Sequence, residues 1–549
     1  MRGAMTTNPS ASFSAPAASA SAVAPGVGFD SDRYIAEQSR YILERVERAD
    51  GGKLYLECGG KLLFDFHAAR CLPGFEPSCK MRVFEALKDR IDVIVCIYAG
   101  DIERRKMRAD FGISYDSDVL KMIDDFARYG LACQRVVITR YEGQPAADAF
   151  RQRLEARGIS VFLHAPVPGY PDDIDTVVSD RGYGANPYVP TDRPIVLVTG
   201  PGPGSGKLAT CLSQIYHDAR AERCSSYAKF ETFPVWNLPL EHPVNLAYEA
   251  ATADIGDVNL IDHFHLAAYS EVAVNYSRDL EAFPLLRRIF ERITGRPCPY
   301  RSPTDMGVNR VAFGIVDDAA CRAASLQEIL RRRLNAQCAY LQGFASAETV
   351  ARARAIAEKA GIDESIRPVI AAAAQHLDDC GAAEPGHRGV LCSAAIEMPR
   401  GTDRALAGLS AQLAPPSPGD AGPVIVVGHN SDLMHAASAA VLNALKVLAG
   451  IKKSRKLISA EILQGVKAMK RGLATPGISL NVDEILLCLA MSATQNPDAA
   501  DAVEMLPRLR GLEAHLSHIP PTGDAIGLRK LGLHVTSAPA FPTRTLYAP

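Results

Sequence analysis

Gly202, Gly204, Ser205, Gly206 and Lys207 fall in one run, Gly200-Pro-Gly-Pro-Gly-Ser-Gly-Lys207, just ahead of Thr210. Glycines let backbone N–H groups close around phosphate oxygens, a helix start favours an anion, and a lysine reaches the outer phosphates. These five residues and Thr210 are therefore the candidates for holding ATP or another nucleotide by its phosphates. The spacing departs from the usual phosphate-loop pattern, because Gly200 is one residue too far from Gly206. Leu208 also stands where a Mg²⁺-binding hydroxyl normally follows the lysine. A Gly/Pro turn with no ligand is the other reading of the run.

Further polar residues sit where chemistry is expected. Lys229 and Glu231 lie in Tyr227-Ala-Lys-Phe-Glu-Thr-Phe-Pro-Val-Trp236 and, with Lys207 and Asp305, are the catalytic candidates. Asp262 ends the short apolar stretch Asp257-Val-Asn-Leu-Ile-Asp262, as a Mg²⁺-linked carboxylate does at a strand end. Ser302, Thr304, Asp305 and Asn309 crowd hydrogen-bonding groups around Pro and Gly, which suits a substrate clamp or a helix-capping turn. His67 and Arg70 read as anion ligands or a core-edge pair, and Glu513, His515 and His518 as a structural group or part of a shared site. His263 and His265 are two apart and no His-Glu-x-x-His occurs, so the helix-face zinc pair of a zinc protease is missing.

Alternating strands and helices must position these groups. An apolar strand is expected at 195–198, and Leu208, Cys211, Leu212, Ile215 and Ala219 recur at helical spacing after the glycine run. From residue 91 the pattern is β-α-β-α-β, with apolar runs at 91–98, 135–139 and 159–163. Val119, Leu120, Ile123 and Phe126 mark one intervening helix, and Ala146, Phe150 and Leu154 the next. Such alternation implies a parallel sheet covered on both faces, with ligands outside the carboxyl ends of its strands. Asp101, Arg140 and His164 stand at those ends and are substrate candidates. Shorter strands are expected at 54–56, 62–66, 227–230, 390–397 and 424–427. Ser431 and Asp432 should cap the clearest helix, with Ala437, Ala440, Val441, Ala444 and Leu448 on one face and Gly450 at its end.

Bulk composition narrows the function. At 549 residues the chain is too long for one core. Its 60 basic and 62 acidic residues nearly cancel, which argues against a nucleic-acid binder. Its 13 cysteines are scattered without a C-x-x-C pair, which fits reduced thiols in a cytoplasm. No apolar run reaches the roughly 18 residues that span a bilayer. The fold class is α/β and multidomain: a disordered tail at 1–28, a Rossmann-like parallel-sheet domain at 29–190, a phosphate-loop α/β domain at 191–335, a helical connector at 336–385 and a C-terminal α+β domain at 386–549. The tail lacks the apolar segment of a secretory signal.

Several long strings resemble one bacterial uncharacterised family, domain-of-unknown-function family 1846. They are Gly202-Pro-Gly-Ser-Gly-Lys-Leu-Ala-Thr-Cys-Leu-Ser-Gln214, Lys229-Phe-Glu-Thr-Phe-Pro-Val-Trp-Asn-Leu-Pro-Leu240, Ala247-Tyr-Glu-Ala-Ala-Thr-Ala-Asp254 and Ser302-Pro-Thr-Asp-Met-Gly-Val-Asn309. Ile138-Thr-Arg-Tyr-Glu-Gly-Gln-Pro-Ala-Ala-Asp-Ala-Phe150 and Asn430-Ser-Asp-Leu433 add to it. The resemblance runs from about Phe29 to Tyr547 and leaves 399–423 as a local insertion. It implies no established activity. Some members carry an ATP-dependent zinc protease label; the residues agree with its ATP half and not with its protease half.

The expectation is a cytoplasmic enzyme that binds ATP or another nucleotide and transfers a phosphoryl group to a small molecule or activates it, with Mg²⁺ and as a homo-oligomer. No nucleic-acid or membrane partner is expected. Two alternatives stay open: a phosphate or metabolite sensor without turnover, and an enzyme on a phosphorylated metabolite with its chemistry at Asp101, Arg140 and His164.

Overall fold

The computed structural model describes residues 27–49, 51–59, 62–108, 112–383, 390–398, 424–473 and 479–543. Most of the expected N-terminal tail, and the insertion at 399–423, lie outside the described residues. In chain order the first strands are β1 (Leu54–Cys58), β2 (Ile91–Tyr98), the short β3 (Met107–Arg108) and β4 (Ile113–Ser114), β5 (Arg135–Thr139), β6 (Ser160–His164), β7 (Ile195–Thr199) and β8 (Ser226–Phe230). Six of them form one sheet in the order β6-β5-β2-β7-β1-β8, and every pairing in it is parallel.

Alternation along these strands feeds two cores. Leu54, Leu56, Val93, Val95, Ile97, Val136 and Ile138 pack on one face against Val119, Phe126, Phe150 and Leu154 of the intervening helices. Tyr55, Ile94, Cys96, Val137, Val196 and Val198 pack on the other against Cys211, Leu212, Ile215 and Phe290. Both faces are covered, as a parallel sheet requires.

The strands on either side of residue 190 share this sheet, so they do not form two successive ones. β7 inserts between β2 and β1. Parallel neighbours need a crossover, and the crossover after β6 returns the chain to the middle of the sheet. The expected strand at 62–66 is a second difference: Phe66–Cys71 is a helix, capped by the Asp65 side chain accepting from the Ala68 N–H.

The stretch Asp257–Asp262, expected to serve the phosphate loop, lies outside the six-stranded sheet. β9 (Asn259–Ile261) and β10 (Val274–Tyr276) make a separate antiparallel pair. Beyond them, the helices Asp318–Leu341, Ala347–Lys359 and Pro368–Ala383 lead to a four-stranded mixed sheet. Its strands are β11 (Ser393–Glu397), β12 (Ile425–His429), β13 (Glu513–Leu516) and β14 (His534–Ser537), in the order β12-β11-β13-β14. Helix Ala436–Leu448 packs on it through Ala437, Ala440, Val441 and Ala444. Its N-cap is His435, because the Ser431 hydroxyl is spent on a turn with the N–H groups of Leu433 and Met434. Among the described residues no helix is long and apolar enough to cross a membrane.

Candidate functional site

The winding order of the strands reverses between β2 and β7. From β2 the chain winds outward to β5 and β6, and from β7 it winds the opposite way to β8. In open α/β sheets the crevice at such a switch, outside the carboxyl ends, is where ligands bind. The glycine run lies there, joining β7 to the helix Lys207–Arg220.

The turn is packed too closely for larger residues. Gly206 is the helix N-cap at φ 89°, and a Cβ on it would lie 2.6 Å from Thr139 Cγ2. A Cβ on Gly202 would lie 2.3 Å from the Tyr115 hydroxyl. Ser205 is buried; its hydroxyl donates to the Gly202 carbonyl and its own carbonyl accepts from Thr139 Oγ1 at 2.8 Å. Lys207 is also buried, with Nζ folded back to donate to the Gly202 carbonyl at 3.3 Å. Among the described residues, no protein group accepts from the N–H of Gly204 or Gly206. Those amides and the first turn of the helix are the donors an anion would use.

A basic rim surrounds the turn. Arg140, at the end of β5, donates to the Gly204 carbonyl and lies 3.5 Å over the Tyr98 ring at the end of β2. Lys106 lies 4.8 Å over Tyr115. Asp101 is buried and is paired with Arg104 and, at 3.6 Å, with Lys106, so it balances the rim and is not open to a ligand. His164 closes β6, but its Nε2 faces the Pro187 carbonyl at 3.1 Å, and burial pushes its imidazole down to about 4.

A second group of charges occupies the ends of β1 and β8. Lys229 Nζ lies 2.7 and 2.9 Å from the Asp279 oxygens and 3.4 Å from Glu231. It also sits 4.7 Å over the Tyr276 ring. Burial opposes its charge, but Asp279, Glu231 and Glu57 outweigh burial and hold its pKa above the usual lysine range. Glu231 behaves in the opposite way. Burial raises its carboxyl to about 7, Lys229 opposes that, and Asp279 and Glu57 add to it. Glu57 in turn accepts from the Tyr227 hydroxyl at 2.7 Å. This cluster adjoins the glycine turn: the buried Cys58 thiol, pushed up by burial, feels Glu57, Lys207 and Glu231 together. A carboxyl poised near neutrality beside a fixed ammonium can take or give a proton at physiological pH.

Thr210, expected at the phosphates, and Asp262, expected to hold Mg²⁺, both have protein partners. Thr210 is fully buried, and its hydroxyl accepts from Cys96 Sγ on β2 at 3.4 Å. Leu208 packs in the apolar layer. Asp262 caps the helix His263–Tyr269: one oxygen accepts from the His265 N–H at 2.9 Å, the other from Thr304 Oγ1 at 2.6 Å and its N–H at 3.2 Å. These donors do not make the usual Mg²⁺ site beside a phosphate loop.

The expected clamp residues are likewise joined to each other. Ser302 and Asp305 form a reciprocal capping box on the short helix Pro303–Met306. Ser302 Oγ lies 3.0 Å from His265 Nδ1, and Asp305 accepts from the Tyr269 hydroxyl at 2.9 Å. Asn309 Nδ2 donates to the carbonyls of Thr232 and Pro234 at 2.7 and 3.1 Å. His67 and Arg70 do bind an anion, the buried Glu328 carboxylate, at 3.2 and 2.8 Å. Glu513 is held by Arg331 and Arg367, and His515 Nδ1 lies 2.9 Å from Thr536 Oγ1. Sequence reasoning missed Glu57, Asp279 and Tyr98. Only Glu57 carried a signal, as the one charged residue in the strand Leu-Tyr-Leu-Glu-Cys.

Comparison with known proteins agrees with the resemblance noted from the residues. The model described as "Domain of unknown function DUF1846, N-terminal" matches residues 27–361, and "Domain of unknown function DUF1846, C-terminal" matches 421–547. A "UPF0371 protein" of Clostridium botulinum (strain Alaska E43 / Type E3) is 49% identical over 523 residues, covering 95% of this chain and 99% of its own. Another "UPF0371 protein", from strain Langeland / NCTC 10281 / Type F, is 48% identical over 523 residues, with 95% and 99% covered. With both halves matched and near-complete coverage of such relatives, the chain belongs to the DUF1846 family.

Proposed function

We propose that this chain is an enzyme that holds the phosphate of a nucleotide or phosphorylated metabolite on the glycine turn and moves a proton at Glu231. One observation carries the reading. Lys207 heads a helix at the point where the strand order reverses and folds onto a turn where, among the described residues, the Gly204 and Gly206 amides are uncommitted. An incoming phosphate replaces the Gly202 carbonyl as the partner of Lys207 Nζ, gains the turn amides, and meets Arg140 at the rim. The substrate then extends over the ends of β1 and β8, where Lys229 orients it and Glu231 exchanges the proton. Phosphoryl transfer from ATP is the second reading, favoured by the Gly-Lys pair at the helix start.

Titration calorimetry with ATP, ADP, GTP and inorganic phosphate, with and without Mg²⁺, tests the proposal. The wild type should bind at least one of them, and Lys207→Ala should weaken that binding about 10- to 100-fold, the loss of one charge-assisted bond. Equal affinity in the variant, or no binding by the wild type, would overturn it. Mg²⁺-dependent binding with slow loss of the γ-phosphate would favour the ATP reading.

A further inference from the structure

His376 and Cys380 stand at i and i+4 of the helix Pro368–Ala383, on one face of it. That helix packs on β11 and β12. β12 is an edge strand of the four-stranded sheet, and its last residue is His429. The packing brings the three side chains together across roughly fifty residues of chain. His376 Nε2 lies 3.7 Å from Cys380 Sγ. The rings of His376 and His429 are 5.5 Å apart between centroids. One ligating atom from each of the three lies within 4.8 Å of the others. His429 Nδ1 is shut off from solvent and, among the described residues, has no hydrogen-bond partner.

The donor set and spacing match a metal better than a hydrogen-bonded trio. Zinc bonds of about 2.05 Å to imidazole and 2.3 Å to thiolate, at the tetrahedral angle, place nitrogen and sulfur about 3.6 Å apart. The His376–Cys380 separation of 3.7 Å is close to that value, and a ligating atom of His429 lies within 4.8 Å of both. Two imidazoles and a thiolate suit a borderline-soft divalent ion and not Mg²⁺ or Ca²⁺.

We propose that His376, Cys380 and His429 form a binding site for a divalent transition metal of the zinc class, tying the helix Pro368–Ala383 to β12. On binding, the Cys380 thiol releases its proton to solvent and the sulfur shares an electron pair with the ion. Both imidazoles would bind neutral, no redox change occurs, and the three side chains would leave one tetrahedral position for water or another ligand. The site lies in the C-terminal sheet region and is independent of the glycine turn.

Tag-free, chelator-treated protein titrated with Co²⁺ tests the site directly. One equivalent should produce the thiolate-to-cobalt charge-transfer band and the strong visible bands of four-coordinate cobalt, and Zn²⁺ should bleach both. Cys380→Ser should lose the charge-transfer band, and His429→Gln should weaken binding more than about 10-fold. Cys224→Ser, which removes an exposed thiol elsewhere, should leave both unchanged. Retention of the thiolate band in Cys380→Ser, or its absence from the wild type, would overturn the proposal. A measurement on the unmutated protein covers the case of a variant that fails to fold. Zn²⁺ should slow alkylation of Cys380 at least about 10-fold, read by peptide mass, with Cys224 unaffected; an unchanged rate at Cys380 would also overturn the assignment.

Discussion

The guanidinium of Arg140 lies 3.5 Å over the centre of the Tyr98 ring. This contact joins the carboxyl ends of two adjacent strands, β5 and β2, and aims the remaining guanidinium donors at the glycine turn. Arg140 holds it with its backbone at φ 49°, a region that non-glycine residues seldom occupy. The planar group both stacks and donates, which a lysine cannot do. Arg140→Ala and Arg140→Lys should each weaken phosphate-ligand binding about 10-fold by calorimetry. Because the side chain is exposed, unfolding should change by less than about 1 kcal/mol.

Gly206→Ala tests whether the shape of the turn matters apart from its charge. The new Cβ would be strained at φ 89° and would meet Thr139 at 2.6 Å. Stability should fall by about 1–3 kcal/mol and ligand affinity by more than about 10-fold. Gly143→Ala is the control. It has the same φ of 89° with nothing within 4 Å, so it should show the strain alone and leave affinity unchanged.

Glu231 sets an expected pH dependence. Its carboxyl titrates near 7 because burial disfavours the charge more than Lys229 restores it. If Glu231 takes a proton from substrate, turnover should rise with pH through about 7 and then level, and Glu231→Gln should remove that limb. The stability term has the opposite sign. A carboxyl raised on folding contributes stability below its unfolded value, and that contribution is lost as pH rises through about 7. Glu231→Gln should therefore flatten the pH dependence of the unfolding midpoint across that window.

Glu513 is the acid-side counterpart. Burial would raise its carboxyl, but the His534 hydrogen bond and the charges of Arg331 and Arg367 bring it down to about 2. Its contribution is present above the ordinary carboxylate value and is lost as pH falls through about 2. Arg367 is fully buried; burial pulls it down to about 10 while Glu513 opposes, so both partners stay charged at neutral pH. Glu513→Gln leaves that guanidinium without its counter-charge and should cost about 3 kcal/mol in urea unfolding. An unchanged midpoint would show that the pair does not hold β13 to the segment that leads into the helix Pro368–Ala383.

Local pattern alone determined much of this molecule. The strands at 91–98, 135–139 and 227–230, and the glycine turn leading into a helix at Lys207, were legible because side-chain period and glycine content report burial and backbone freedom residue by residue. The parallel character of the first sheet followed from uninterrupted apolar strands. Tertiary structure decided the rest. Strand order is set by which faces crossovers can cover, so nothing near residue 195 revealed that β7 lies between β1 and β2. That insertion brings Lys207, Glu57 and Glu231 into the electrostatic surroundings of one buried thiol, Cys58. The same limit hid the surroundings of Asp262, whose stretch looks like a phosphate-loop partner strand but pairs with β10, its carboxylate accepting from Thr304 and from the first turn of a helix. His376 and Cys380 stand four residues apart on one helix, yet His429 joins them only because the helix packs on β12, a long-range contact that no local spacing encodes.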